Sequence, residues 1–329
     1  MNDQSPPRRI LVRAPSWLGD AVLALSAVRD LRNNFPDAPI EVVARPWVAE
    51  LYRMVREIDG VREASRFGEF VAAARGFDVA ILLPNSFGSA LQVFAAGVPE
   101  RWGYATRWRR PLLTRSAPVP SGIRGENEAF RYRALMAGVG LRVSAALNAK
   151  LTCPDDWSVR ASLLLDGQMR WIGLNPGATY GSAKRWPPAR FAAAGDALAK
   201  RLSAAVAIIG SAAERPLGES VAAKMRARTR VLCGRTSLAE LVGVLSLLRV
   251  FITNDSGPMH IAAALDTPLV AIFGPTDWRE TAPVSRRSRL VREPVECAPC
   301  KLRECPIDHR CMSRVSVERV LNAADSLPQ

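Results

Sequence analysis

No apolar run in this 329-residue chain approaches the roughly 18 residues a helix needs to cross a bilayer. The opening MNDQSPPRRI also lacks the apolar core of a secretion signal, so a cytoplasmic placement is expected. Histidine occurs only at His260 and His309, and lysine only at Lys150, Lys184, Lys200, Lys224 and Lys301. Arginine therefore supplies nearly all of the 45 basic residues. A Walker phosphate loop is excluded, because no G-x-x-x-x-G-K-[ST] spacing exists. The GVG at Gly138 to Gly140 ends a helical stretch and lacks the third glycine of the dinucleotide fingerprint, which argues against a nicotinamide dehydrogenase.

What is present is an ordinary globular composition, 48% apolar, in a chain longer than one hydrophobic core usually serves. Two domains are expected. The formal charge of +14 favours polyanions, whether nucleic acid, an anionic membrane face or a phosphorylated substrate. The arginines are scattered, however, and not gathered in one tract, so a merely decorated surface fits equally well.

Short apolar runs alternate with amphipathic stretches, the pattern of parallel sheets wrapped by helices. RILVRA, IEVVA and FDVAILL read as strands, and GDAVLALSAVRDLRNNF as one helix. Residues 105–125, rich in Arg, Pro and Gly, read as an exposed connection. The alternation restarts with RWIGLNPG, and AAVAIIG, RVLCG, RVFITND and TPLVAIFGP follow as strands. The expected fold class is α/β, with two doubly wound Rossmann-like domains facing across a cleft. Boundaries are placed at 1–160 and 161–312, with a final helix over 313–329. In such folds ligands bind in loops beyond the carboxyl ends of strands.

Four such loops carry candidate chemistry. In APSWLGDAVLA, Asp20 stands at a helix start, where it either caps orphan N–H groups or presents a general base. NPGATYGSAKRWP follows a strand and precedes a helix, so its N–H groups and the donors of Thr179, Tyr180, Ser182 and Lys184 suit an anion, although a purely structural turn is also open. TNDSGPMHIAAA repeats that arrangement: Asp255 and Ser256 are expected to cap, Gly257 permits close approach, and His260 lies on the first turn. Two strand-to-helix anion sites in one domain point to a diphosphate. Glu214, just past a strand, is placed to accept from ribose hydroxyls, or is simply a solvated cap. No two aspartates are separated by one residue, so the carboxylate pair that often holds a divalent metal on a diphosphate is missing. If a diphosphate leaves during a reaction, Lys184 and helix dipoles must carry its charge.

Near the end, CAPCKLRECPIDHRC sets Cys297, Cys300, Cys305 and Cys311 around His309. Such spacing favours a metal or reduced thiols over disulfides in a cytosolic protein. A structural zinc and simple packing thiols both remain open; a catalytic metal does not suit four thiolates, which would close the site.

These loops, in this order, resemble the ADP-heptose:lipopolysaccharide heptosyltransferases of glycosyltransferase family nine, most nearly the heptosyltransferase II branch. The likeness rests on RAPSWLGDAVLALSAV, NPGATYGSAKRWP, NDSGPMHIAAAL, PLVAIFGPTDW and VECAPCKLRECP, and covers nearly the whole chain. It implies a GT-B fold, with an N-terminal acceptor domain, a C-terminal nucleotide-sugar domain and a last helix crossing back. It further implies an inverting, metal-independent transfer requiring no cofactor. Carried over, Asp20 is the general base and Lys184 stabilises the leaving diphosphate, helped by Thr179 and Tyr180. Asp255, Ser256, Gly257 and His260 match the second donor loop, Glu214 the ribose position and Thr236 the adenine site.

The implied donor is ADP-L-glycero-β-D-manno-heptose, and the implied acceptor is Kdo-lipid A already carrying one heptose. A lipid-linked anionic acceptor would give the surplus arginines a use at the inner face of the inner membrane. Rival readings are a family-nine enzyme for another sugar or acceptor, a silent nucleotide-binding module, and a basic nucleic-acid-binding protein with a Cys-rich metal site. The paired phosphate loops argue against the last, so no nucleic-acid partner is expected.

Overall fold

The computed structural model describes residues 8–123, 125–167 and 169–328. The chain divides into two compact units, residues 1–149 and 150–329. In the first unit the order is β1 (Ile10–Arg13), α1 (Leu18–Leu23), α2 (Leu25–Asn34), β2 (Ile40–Ala44), α3 (Pro46–Arg53), β3 (Gly60–Glu63), α4 (Phe67–Ala74), β4 (Val79–Leu82), α5 (Phe87–Ala95), β5 (Glu100–Tyr104), β6 (Arg115–Ala117) and α6 (Glu128–Gly138). The six strands form one parallel sheet ordered β3-β2-β1-β4-β5-β6. β1 and β4 are buried along their whole length, as strands covered by helices on both faces must be.

The second unit runs α7 (Asp155–Leu164), β7 (Arg170–Asn175), α8 (Pro188–Leu202), β8 (Ala204–Ile208), α9 (Arg215–Ala222), β9 (Thr229–Val231), α10 (Leu238–Leu247), β10 (Leu248–Asn254), α11 (Gly257–Ala264), β11 (Leu269–Phe273), α12 (Trp278–Thr281), β12 (Ser288–Arg292), α13 (Arg310–Ser313) and α14 (Val317–Asp325). Its parallel sheet is ordered β12-β11-β10-β7-β8-β9. Each unit is therefore an α/β doubly wound sheet. The strand order reverses between β1 and β4 in one and between β7 and β10 in the other. A core of Ile172, Leu174, Phe191, Ile208, Ile252 and Ile272 fills the second unit, and Val320 of α14 joins it. α14 packs on α8, β11 and β12, with ion pairs from Arg201 to Asp325 and from Arg319 to Glu293. α7 packs on α10, so the expected boundary after residue 160 falls inside a helix that belongs wholly to the second unit. Among the described residues no helix is long and apolar enough to cross a membrane.

Two local expectations change. The single helix expected over GDAVLALSAVRDLRNNF is broken at Ala24, whose backbone stays right-handed (φ −74°, ψ −13°) while it ends one helix and starts the next. Residues 105–125 are not merely an exposed connection. Arg115–Ala117 joins the sheet edge as β6, and Arg109 is fully buried, donating to the carbonyls of Tyr104 at 2.8 Å and Pro84 and to Asn85 Oδ1 at 3.2 Å. A side chain with that many fixed acceptors holds its loop as firmly as a hydrophobic plug.

The first unit is cross-braced by Asp30. Its carboxylate accepts from Arg133 Nε at 3.1 Å and from Ser144 N and Oγ at 2.9 and 2.6 Å, tying α2 to α6 and to the chain beyond it. Asp30 is buried and Arg133 nearly so. Asp30→Ala strands a buried guanidinium and is expected to cost about 3–5 kcal/mol in urea unfolding. An Asp30→Leu, Arg133→Met pair should recover much of that loss; an Asp30→Ala cost below about 0.5 kcal/mol, the range of an ordinary surface change, would refute the brace.

Candidate active site

β7 and β10 lie side by side with Asn175 opposite Thr253, so the loops that follow them leave the same carboxyl edge, at the point where the strand order reverses. That is where open α/β sheets leave a crevice. Asparagines join the loops. Asn254 donates through Nδ2 to the carbonyls of Pro176 and Gly177 at 2.9 and 3.2 Å, and accepts at Oδ1 from Trp186 N at 3.1 Å. Asn175 Nδ2 donates to Thr253 Oγ1 at 3.1 Å and Ser256 Oγ at 2.7 Å. The backbone of both loops is thereby held before any ligand arrives.

Lys184 ends the short 3-10 turn Ser182–Lys184, which sets its ammonium 2.6 Å from Asp255 Oδ2. Both side chains are buried. Thr276 Oγ1 donates to the same oxygen at 2.7 Å, and the ammonium lies 4.8 Å from the centre of the Tyr180 ring. Asp255 is therefore not a cap for α11, as expected from its position. Ser256 is the N-cap residue but makes no side-chain cap bond, because its hydroxyl accepts from Asn175 instead. A buried ammonium attracts the nearest carboxylate more strongly than exposed N–H groups do.

His260 is buried on the first turn of α11, and its Nδ1 has no hydrogen-bond partner among the described residues. Burial lowers its pKa to about 4; Lys184 adds to that shift and Asp255 opposes it. Glu214 is buried, with Ser211 N and Oγ each donating to Oε2 at 2.8 Å. Its Oε1 has no protein partner among the described residues and lies beside Gly177, where a Cβ would stand 2.2 Å away. Glu214 thus both caps its turn and keeps one acceptor oxygen next to the Lys184 loop. Thr179 and Ser182 are exposed on that loop, and Tyr180 is half-buried. Thr236 is half-buried in the loop before α10.

The Cys-rich segment is not arranged as an ion shell. Cys297 and Cys300 are exposed and Cys305 half-buried, whereas Cys311 is buried, with its thiol pushed up to about 11 first by burial and then by the nearby thiols of Cys297, Cys305 and Cys300. Among the described residues no three His, Cys, Asp or Glu side chains are placed to hold one ion, so the structural zinc reading is not supported. The segment packs on the Lys184 loop instead. Ala183 N donates to Arg303 O at 3.0 Å, Tyr180 OH donates to Lys301 O at 2.7 Å, and His309 Nε2 donates to Ala183 O at 2.7 Å.

In the first unit, Asp20 lies in the first turn of α1, directly after β1 and beside that unit's own point of strand reversal. It is half-buried. Tyr52 and Tyr132 are buried against it, and both phenols are pushed up, first by burial and then by the Asp20 charge. Trp47 Nε1 donates to Ser16 O at 2.9 Å and pins the loop that leads into α1. At the end of β1 the buried Arg13 guanidinium is lowered to about 10 by burial and by Arg45.

Comparison with known proteins decides the family. The model of glycosyltransferase family 9 (heptosyltransferase) matches residues 72–310. The chain belongs to glycosyltransferase family 9. It is 34% identical over 311 residues to lipopolysaccharide heptosyltransferase 2 of Salmonella typhimurium, covering 86% of this chain and 88% of that one. Identity to the Escherichia coli K12 lipopolysaccharide heptosyltransferase 2 is 33% over 316 residues, with the same coverage. The solved structure of E. coli ADP-heptose lipopolysaccharide heptosyltransferase II superimposes with a TM-score of 0.84 at 29% identity, covering 97% and 98% of the two chains. The two doubly wound units are thus those of a GT-B heptosyltransferase, and the chain is a glycosyltransferase.

The structure brings Lys184, Tyr180, Asp255, Ser256 and His260, all expected near a diphosphate, together at the carboxyl edge of β7 and β10. Sequence reasoning missed Asn175 and Asn254, which stood in marked loops, and Thr276, which stood in PLVAIFGPTDW, quoted only for its likeness. The signal was an amide or hydroxyl at a strand end with no capping partner of its own. His260 supplies a pH test. Its imidazole is neutral when folded and charges on unfolding, so its stabilising share is complete above about pH 6.5 and is lost as pH falls toward about 4, about 3 kcal/mol in all. An NMR titration of the two imidazoles should show His260 silent down to about pH 5; protonation near pH 6.5 would contradict its burial.

Proposed function

We propose that this chain transfers heptose from ADP-L-glycero-β-D-manno-heptose to the first heptose of the lipopolysaccharide inner core, with inversion and without a metal. The observation that carries the reading is the Lys184–Asp255 pair at 2.6 Å between two strand-to-helix loops at one switch point. Two such loops suit two phosphates, and the relatives that match along most of the chain are named for heptose transfer.

The second unit takes the donor. Thr179, Tyr180, Ser182 and Lys184 receive the diphosphate from one loop, and Ser256, Gly257 and His260 from the other. Oε1 of Glu214 accepts from a ribose hydroxyl, and Thr236 borders the adenine. The first unit takes the acceptor. Asp20 removes the proton of the acceptor hydroxyl as its oxygen attacks the anomeric carbon from the face opposite the diphosphate. The bond from that carbon to the phosphate oxygen breaks, its electron pair goes to ADP, and the site's cations and N–H groups stabilise the new charge. A net charge of +14 draws the enzyme to its lipid-linked, phosphorylated acceptor at the anionic inner face of the inner membrane.

Incubation with ADP-heptose and mono-heptosylated Kdo-lipid A should release ADP and add one heptose to the acceptor mass. Donor binding without product would redirect the acceptor assignment. EDTA should leave the rate unchanged, and a loss restored by a divalent ion would overturn the metal-free mechanism. Asp20→Asn should cut turnover by about a hundredfold or more while donor affinity stays within about twofold. Turnover equal to that of the wild type would remove Asp20 from the chemistry.

A further inference from the structure

The Cys-rich segment makes three backbone-level contacts with the Lys184 loop, and Arg303 stands at their centre. Its carbonyl accepts from Ala183 N at 3.0 Å, and its main chain lies so close to Gly181 that a Cβ there would stand 2.2 Å from Arg303 O and 2.8 Å from its Cα. Gly181 is therefore required by this approach. With the backbone so held, the guanidinium projects to 5.5 Å from the centre of the Tyr180 ring, the same ring that Lys184 Nζ meets at 4.8 Å. One aromatic ring thus holds two cations in one neighbourhood.

The two cations differ in what balances them. Lys184 is matched by Asp255 at 2.6 Å, so part of its charge is offset before an anion enters. The neighbours of Arg303 are also matched, Lys301 by Glu280 at 2.6 Å and Arg310 by Asp308 at 2.9 Å. Among the described residues no carboxylate pairs with Arg303, and its side chain is exposed at the loop. A diphosphate needs uncompensated positive charge, and a planar guanidinium can take two of its oxygens at once.

We infer that Arg303, delivered by the Cys-rich segment, is a diphosphate-binding residue of the donor site. On this account the cysteine-rich segment serves as one wall of that site, clasped to the Lys184 loop so that Arg303 arrives at a fixed place. The inference rests on the reading of the Lys184 loop as the diphosphate cradle.

Titration of the full-length enzyme with ADP and with adenosine separates the possibilities. Arg303→Ala should weaken ADP binding about tenfold, as loss of a charge-assisted hydrogen bond does, and leave adenosine affinity and the melting temperature unchanged. Arg303→Lys should recover part of the loss, since charge returns without the planar fork. Unchanged ADP affinity in Arg303→Ala, or an equal loss for adenosine, would overturn the inference. If wild type binds ADP and Lys184→Met weakens it while Arg303→Ala does not, the cradle stands and only the role of Arg303 falls. Failure of wild type to bind ADP would overturn both.

Discussion

A buried ammonium 2.6 Å from a buried carboxylate, Lys184 with Asp255, organises the second unit. Neither charge is tolerable in the interior without the other, since leaving one alone costs several kcal/mol. The pair therefore forces the loop after β7 and the loop after β10 to fold together. Thr276 gives the shared carboxylate oxygen a further donor, and the Asn175 and Asn254 amides secure the backbones on either side. A site assembled in this way is in place before substrate, which is what electrostatic stabilisation of a leaving group requires.

The same geometry recurs in both units, which each place a candidate loop beyond the point of strand reversal. In each sheet the first strand has neighbours whose connections lead to opposite sides, so a crevice opens beyond its carboxyl end. Asp20 follows β1, and the Lys184 loop follows β7. Around Asp20 the first unit places phenols kept protonated by burial and an arginine, Arg13, without the exposed surface on which charge is usually dispersed. Fixed charges in such surroundings act more strongly than they would in water.

The cysteine-rich segment illustrates how a motif can be noticed for one residue type and used for another. Four cysteines within fifteen positions draw the eye to metal chemistry; two are exposed, one is half-buried and one is buried, and the other three thiols lie near enough to Cys311 to raise its pKa alongside burial. The contacts that hold the segment are made by the main chain of Lys301 and Arg303 and by the ring of His309. These contacts fix the segment against the Lys184 loop.

The amino-acid sequence by itself determined the α/β class, most of the central strands and the loops worth watching. Strands buried on both faces read as unbroken apolar runs, and glycine, proline and hydroxyl residues mark the turns that follow them. Strands β3, β5, β6 and β12 were not read, because each is short, partly exposed and broken by charged or polar residues. Nor was the fate of Arg109, whose guanidinium is held by the Pro84 carbonyl and the Asn85 side chain, 25 and 24 positions earlier, which only the folded chain gathers. Lys184 could be singled out as a rare lysine in a glycine-rich loop, but its partner lies 71 positions later. A local pattern assigned Asp255 to its own helix, and tertiary structure gave it to Lys184. Electrostatic attraction acts through space, and sequence separation does not measure that distance.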